Sequence, residues 1–137
     1  MRRLFGTLAG ILVALVILAG VEYIDGLLYP LPTDIDPDDV AAIAQIIPAM
    51  PLPAKLIVVS AWFAGAFGGA WMALRITDWR WSGVIVMLFV IAGGVLNFLE
   101  LPHPVWMQVC AVVLPLIGGW LAARLHAKPY PGEPLLG

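Results

Sequence analysis

"LIVVSAWFAGAFGGAWMAL" (Leu56–Leu74) carries no charge along its length. It is followed at once by "RITDWRWS" (Arg75–Ser82) and a second apolar run, "GVIVMLFVIAGGVLNFL" (Gly83–Leu99). An α-helix rises 1.5 Å per residue, so about 20 apolar residues cross the hydrocarbon of a bilayer. Each run is close to that length, and so short a link forces successive spans to run antiparallel. "LFGTLAGILVALVILAGV" (Leu4–Val21) upstream and "VWMQVCAVVLPLIGGWLAA" (Val105–Ala123) downstream read the same way, the last joined to its predecessor by "ELPHP" (Glu100–Pro104). The expected fold is all-α: an integral membrane four-helix bundle with antiparallel neighbours. The spans fall at about 4–29, 55–75, 81–101 and 104–124 in a single domain, residues 1–126.

Composition agrees. Of the 137 residues, 62% are hydrophobic and 12% charged, and the mean hydropathy is +0.98. Soluble domains hold about 45–50% apolar and 25% charged residues, and a water-soluble fold of this size could not hide so much apolar surface. The net charge of −2, with no basic stripe, excludes nucleic acid as a partner. Cys110 is the single cysteine, so an intrachain disulfide or cysteine zinc cluster is excluded. Two arginines ahead of an apolar run also open secretory signal peptides. The first run outlasts their apolar core of roughly 7–15 residues, and "LAGVEY" (Leu18–Tyr23) is a poor cleavage site, so an uncleaved span is expected.

Charge orients the spans. Arg2, Arg3, Arg75, Arg80, Arg124 and Lys128 fall on one side, and Lys55 alone on the other. Positive charge stays cytoplasmic, which puts both termini inside the cell. Trp79 and Trp81 then fit the inner interface and Trp106 the outer one. The loop 30–54 lies outside, starts with the helix-breaking "YPLP" (Tyr29–Pro32), and carries Asp34, Asp36, Asp38 and Asp39. Asp36 as N-cap and Pro37 at the first position predict a short amphipathic helix over 37–47. Val40, Ile43, Ala44 and Ile47 share its apolar face, which lies on the membrane or caps the bundle. "IPAMPLPAK" (Ile47–Lys55) leads stiffly into the second span. The Pro/Gly-rich tail 127–137 is expected to be extended and cytoplasmic.

In lipid, close packing and interhelical hydrogen bonds replace the hydrophobic drive, so small residues mark contact faces. The stripes are Gly6 and Gly10; Ala61, Gly65 and Gly69; Gly93, Asn97 and Glu100; and Gln108, Ala111, Pro115, Gly118 and Ala122. Stripes with polar members should face inward, because an ionised group at mid-membrane costs roughly 2.5–3.5 kcal/mol. Asn97, deepest in the third span, is expected to hydrogen-bond inside the bundle.

Chemistry concentrates at the outer end. Glu22 lies roughly 27 Å along the first helix from Leu4, with Asp25 and Tyr29 on the same face at i+3 and i+7. Asn97, Glu100, His103 and Gln108 fall at the same level. These seven residues form a candidate ligand or ion cluster. Their simplest reading is structural, as span ends and a Pro-His-Pro turn. Glu22, Glu100 and His103 are the donors a divalent metal would use. Pro102 breaks the Glu-x-x-His face, however, and a carboxylate-bridged metal bundle needs two such motifs. No cofactor is required. Phosphate-loop, nucleophile-elbow and H-E-x-x-H motifs are missing from the sequence.

The late Glu22, "YPLP" (29–32), "GAFGGA" (65–70) and "PHPVW" (102–106) together resemble uncharacterised small four-span inner-membrane proteins of bacteria. The resemblance implies a bacterial inner-membrane location and brings no site residues with it. Three functions stand open. The leading one is an accessory subunit or a lipid- or ligand-binding protein without self-contained catalysis. Its partners would be membrane lipids, and other membrane proteins or a second copy through the small-residue faces. The others are an oligomeric transporter or channel component using Glu22, and a metal-dependent membrane enzyme.

Overall fold

The computed structural model describes residues 1–36 and 38–126. Among these residues the chain is helical with no strand: α1 (Arg2–Leu28), α2 (Val40–Ile46), α3 (Leu52–Thr77), α4 (Arg80–Glu100) and α5 (Val105–Leu125), with a 3-10 turn over Ile47–Ala49. α1, α3, α4 and α5 are each long and apolar enough to cross a membrane, and they pack as a bundle with antiparallel neighbours. The tail 127–137 and Pro37 lie outside the described residues.

Prolines set several helix ends. α3 starts three residues before Lys55, because Pro51 serves as its N-cap and Pro53 sits in its first turn, where a missing N–H costs nothing. The stretch read as a stiff approach is thus partly helix. α4 stops at Glu100 because Leu101, ahead of Pro102, is extended with φ −120° and ψ 134°. The loop helix differs from the expectation over 37–47. Its cap is Asp39, whose carboxylate accepts from the N–H groups of Ala41 at 3.0 Å and Ala42 at 3.1 Å. Asp36 is used in a tighter turn, accepting from the Asp38 N–H at 3.0 Å. α2 packs mainly on the 3-10 turn that follows it, so Ile47, 5% exposed, is the loop's buried anchor.

α3 is the central helix and contacts each of the other three, while α1 and α4 meet less closely than either meets α3. The α1–α3 seam is made of the predicted glycines. A Cβ on Gly69 would lie 2.6 Å from the Gly10 carbonyl oxygen and 2.8 Å from both Ala14 Cβ and Val86 Cγ1. On α5, a Cβ on Gly118 would lie 2.7 Å from the Phe63 carbonyl oxygen. Backbones therefore touch where lipid offers no other adhesion. The fourth-span stripe holds from Ala111 onward, with Ala111, Pro115, Gly118 and Ala122 all buried and Gln108 half-buried.

The third-span stripe does not. α4 buries Ser82, Gly83, Val86, Val90 and Gly94, whereas Gly93 and Glu100 are exposed and Asn97 is half-buried. Small and β-branched groups fit the tight contact: a Cβ on Gly94 would lie 3.2 Å from Ala111 Cβ. The polar face is turned away from it.

At the end that carries Met1 and His126, Asp78 closes α3 in the left-handed region, φ 53°. Its carboxylate meets Arg2 Nη2 at 2.8 Å and His126 Nε2 at 3.4 Å, and Arg2 Nε also donates to the Ile76 carbonyl at 2.7 Å. Arginines lie over tryptophans around this end: Arg3 on Trp79, Arg75 on Trp71 and Arg124 on Trp120.

Gly69→Ala is expected to lower stability in detergent by about 1–3 kcal/mol through overpacking. Gly20→Ala, where nothing lies within 4 Å, should raise it by up to about 1 kcal/mol through helix propensity. Thermal unfolding followed by circular dichroism reads both signs.

Candidate functional site

α1 and α4 meet where Val86 stands against Gly10, and beyond that level a cavity of about 280 Å³ lies between them, with α3 behind it. α1 supplies Leu15, Leu18, Ala19 and Glu22, a single face at i, i+3, i+4 and i+7. α4 contributes Phe89, Gly93 and Asn97 along one stripe, with Val90 and Gly94 beside it, and α3 gives Val58 and Trp62. The gap exists because small residues face it. Nothing stands within 4 Å of a Cβ built on Gly93. Leu15 and Phe89, 45% and 40% exposed, form a rim open to the bundle surface.

Two polar groups line this apolar space, the Glu22 carboxylate and the Asn97 amide. Neither makes a hydrogen bond or ion pair with a described residue. The expected internal hydrogen bond of Asn97 is therefore absent among the described residues, because the amide faces the cavity rather than the α4–α5 contact. The Thr7 and Ser60 hydroxyls are satisfied on their own helices. Thr7 donates to the Arg3 carbonyl at 2.8 Å, and Ser60 to that of Ile57 at 2.7 Å.

Trp62, 5% exposed, is the back wall. Its ring centroid lies 6.5 Å from that of His103, tilted by 59°, so His103 supports the wall without lining the cavity. The His103 Nδ1 lies 3.0 Å from the Leu101 carbonyl oxygen, and Gln108 Nε2 donates to the His103 carbonyl at 2.9 Å. Both residues lock the α4–α5 turn. Glu100 is exposed at the end of α4. Tyr29 caps α1 through its N–H to the Asp25 carbonyl at 2.8 Å and lines a separate cleft within the loop. Asp25 is buried at 8% exposure, and its Oδ1 is sealed without a hydrogen-bond partner among the described residues.

Of the seven candidates, the structure thus brings Glu22 and Asn97 into one cavity and sets His103 behind its wall. Asp25, Tyr29, Glu100 and Gln108 do not line it. Glu22, Glu100 and His103 face different surroundings, and among the described residues no group of three or more His, Cys, Asp and Glu side chains could hold a metal ion.

Two residues that matter carry faint sequence signals. Trp62 is a tryptophan in mid-span, away from either interface, where its size must be housed. Asp78 is the lone acid between Arg75 and Arg80.

Comparison with known proteins gives no relative: no family model, no curated protein and no solved structure matches the chain.

Asn97→Leu is expected to leave stability unchanged or raise it, since no internal hydrogen bond is lost. A clear fall in melting temperature would show that the amide holds the bundle. Asp78→Asn keeps a side chain that tolerates the left-handed turn but removes the charge. Because Arg2 is largely exposed, a loss of only about 0.2–1 kcal/mol is expected, shrinking at high salt.

Proposed function

We propose that this chain is a small, non-catalytic ligand-binding protein of the bacterial inner membrane, and that the α1–α3–α4 cavity is its site. The observation that carries the proposal is Glu22: a carboxylate on a membrane-length helix, facing a cavity, with no cation or donor among the described residues to compensate it. Desolvating such a group is costly unless something pairs with it. A ligand with a cationic amine head supplies that pair. The Asn97 amide, with donors and an acceptor, would take a second polar group on the same head. The apolar remainder would lie over Gly93 between Leu18 and Phe89. The ligand is therefore an amine-headed amphiphile.

One carboxylate and one amide can hold and orient such a molecule, but they make no nucleophile–base pair of the kind covalent catalysis uses. The location rests on the arginine-rich end that bears Arg2, Arg3, Arg75, Arg80 and Arg124, while Lys55 donates to the Pro48 carbonyl at the other end. With that arginine end cytoplasmic, the cavity opens toward the outer leaflet.

Hexadecylamine and hexadecanol, equal in chain and different in head, test the reading by native mass spectrometry of the detergent-solubilised protein. The wild-type chain should retain the amine at least about tenfold better, the scale of a hydrogen bond to a charged group. Glu22→Gln should abolish the preference. Gly93→Leu, which grows into open space, should block both ligands. Equal retention of amine and alcohol by the wild-type chain would sink the proposal.

A further inference from the structure

A second concave surface lies on α4, toward the opposite end of the bundle and facing α5. Arg80, Gly83, Val84 and Met87 of α4 confront Leu116, Gly119, Trp120 and Ala123 of α5 across a groove of about 390 Å³. On each helix these positions run i, i+3, i+4, i+7, so two continuous stripes form the walls, roughly 10 Å long at 1.5 Å per residue. Glycine sets their spacing: a Cβ on Gly119 would lie 2.7 Å from Met87 Sδ. Trp120 is 57% exposed and forms one side of the mouth.

The charge is confined to one end. Arg80 lines the groove and has no ion pair, hydrogen bond or ring contact with any described residue. The Arg124 guanidinium lies 5.3 Å from the centre of the Trp120 ring, which brings a second cation to the same end. It too has no acidic partner among the described residues. Asp78, the acid of that end among the described residues, is engaged by Arg2 and His126. Since these helices are long and apolar enough to cross a membrane, the open face of the groove meets acyl chains and its arginine end meets headgroups.

We propose that the α4–α5 groove is a binding site for one anionic phospholipid. An acyl chain lies along Gly83, Met87, Leu116 and Gly119, and the phosphate sits on Arg80 with Arg124 beside it. The guanidinium fork matches phosphate oxygens. Two neighbouring arginines select a lipid of net negative charge, because the ammonium of a zwitterionic headgroup would be brought against the second cation. The site is independent of the Glu22 cavity and stands or falls without it.

The test titrates phosphatidylglycerol and phosphatidylcholine of identical acyl chains against the detergent-solubilised full chain, counting bound lipids by native mass spectrometry. One phosphatidylglycerol should be retained per chain in preference to phosphatidylcholine. Arg80→Gln should weaken that retention about fivefold, the scale of one basic residue at a charged headgroup. Arg75→Gln, which removes an arginine of the same end that lies over Trp71, should leave it unchanged. Ala123→Phe, at an exposed position of the wall, should fill the groove and reduce retention of both lipids. Three outcomes would each overturn the proposal. They are equal retention of the two lipids by the wild-type chain, an Arg75→Gln loss matching that of Arg80→Gln, or undiminished retention in Ala123→Phe.

Discussion

The contact between the α1 and α3 backbones at Gly10 and Gly69 governs the arrangement of this bundle. Between helices in lipid, burying one leucine against another gains little over leaving it against an acyl chain, so adhesion depends on close approach. Gly10 and Gly69 allow it, and Val86 of α4 closes the third side. A Cβ on Gly10 would lie 3.0 Å from Val86 Cγ2, and one on Gly69 would lie 2.8 Å from Val86 Cγ1. α1, α3 and α4 are thus keyed together at one level, by atoms with no room to move. From that level toward the loop end, α4 offers Gly93 where a bulky residue would be needed to reach α1. The cavity is the consequence of a tight junction followed by a missing side chain.

Rigidity at both ends keeps that gap in shape. At one end Asp78 links the start of α1 to the end of α5. The Thr77 and Ser82 hydroxyls, 2.7 Å apart, satisfy the turn between α3 and α4. At the other, Gln108 and His103 fasten the α4–α5 turn, and the His103 ring backs Trp62. Thr7, Ser60, Thr77, Ser82, His103 and Gln108 are used in this way, on their own helix or turn. Like the Asp25 Oδ1 and Arg80, Glu22 and Asn97 have no side-chain partner among the described residues, but these two face the same space. That contrast, more than the carboxylate itself, separates a candidate site from a structural cluster.

How far this was legible in the sequence differs by feature. Hydropathy and link length yield the four long helices, and three- and four-residue spacing yields the Gly6–Gly10, Ala61–Gly69 and Ala111–Ala122 faces, because steric fit between backbones is a local property of residue size. The inner face of α4 was misread for a physical reason. The cost of exposing Asn97 to lipid suggested that it faces the core, but a cavity offers a third surroundings, and Val86, Val90 and Gly94 fit the tight contact better. The helix in the loop began later than expected because four aspartates compete as caps, and Asp36 is drawn into a turn with Asp38. For the site, Glu22 and Asn97 were visible as polar residues at one level, whereas their separation from Asp25, Glu100 and Gln108 depends on helix rotation. In helices apolar all round, periodicity barely encodes that rotation. Trp62 and Asp78 matter through partners distant in sequence, which no local pattern reveals.

α4 gives the two candidate surfaces a common physical basis. It packs through a narrow row, Ser82, Gly83, Val86, Val90 and Gly94, and so leaves concave ground on both flanks. On the α1 flank the ground ends in an uncompensated carboxylate; on the α5 flank it ends in uncompensated arginines at the opposite end of the helix. Each polar group is set where a bilayer supplies the complementary charge only in a headgroup or a bound amphiphile, and each lies beside a glycine that keeps the neighbouring helix from filling the space. A large side chain at Gly93, where nothing lies within 4 Å of an added Cβ, would fill the α1 flank, whereas Gly119 of α5 holds the other flank narrow against Met87. Small residues beside charges that lack an ion-pair partner among the described residues, with opposite sign at the two ends, are the features on which both proposed sites rest.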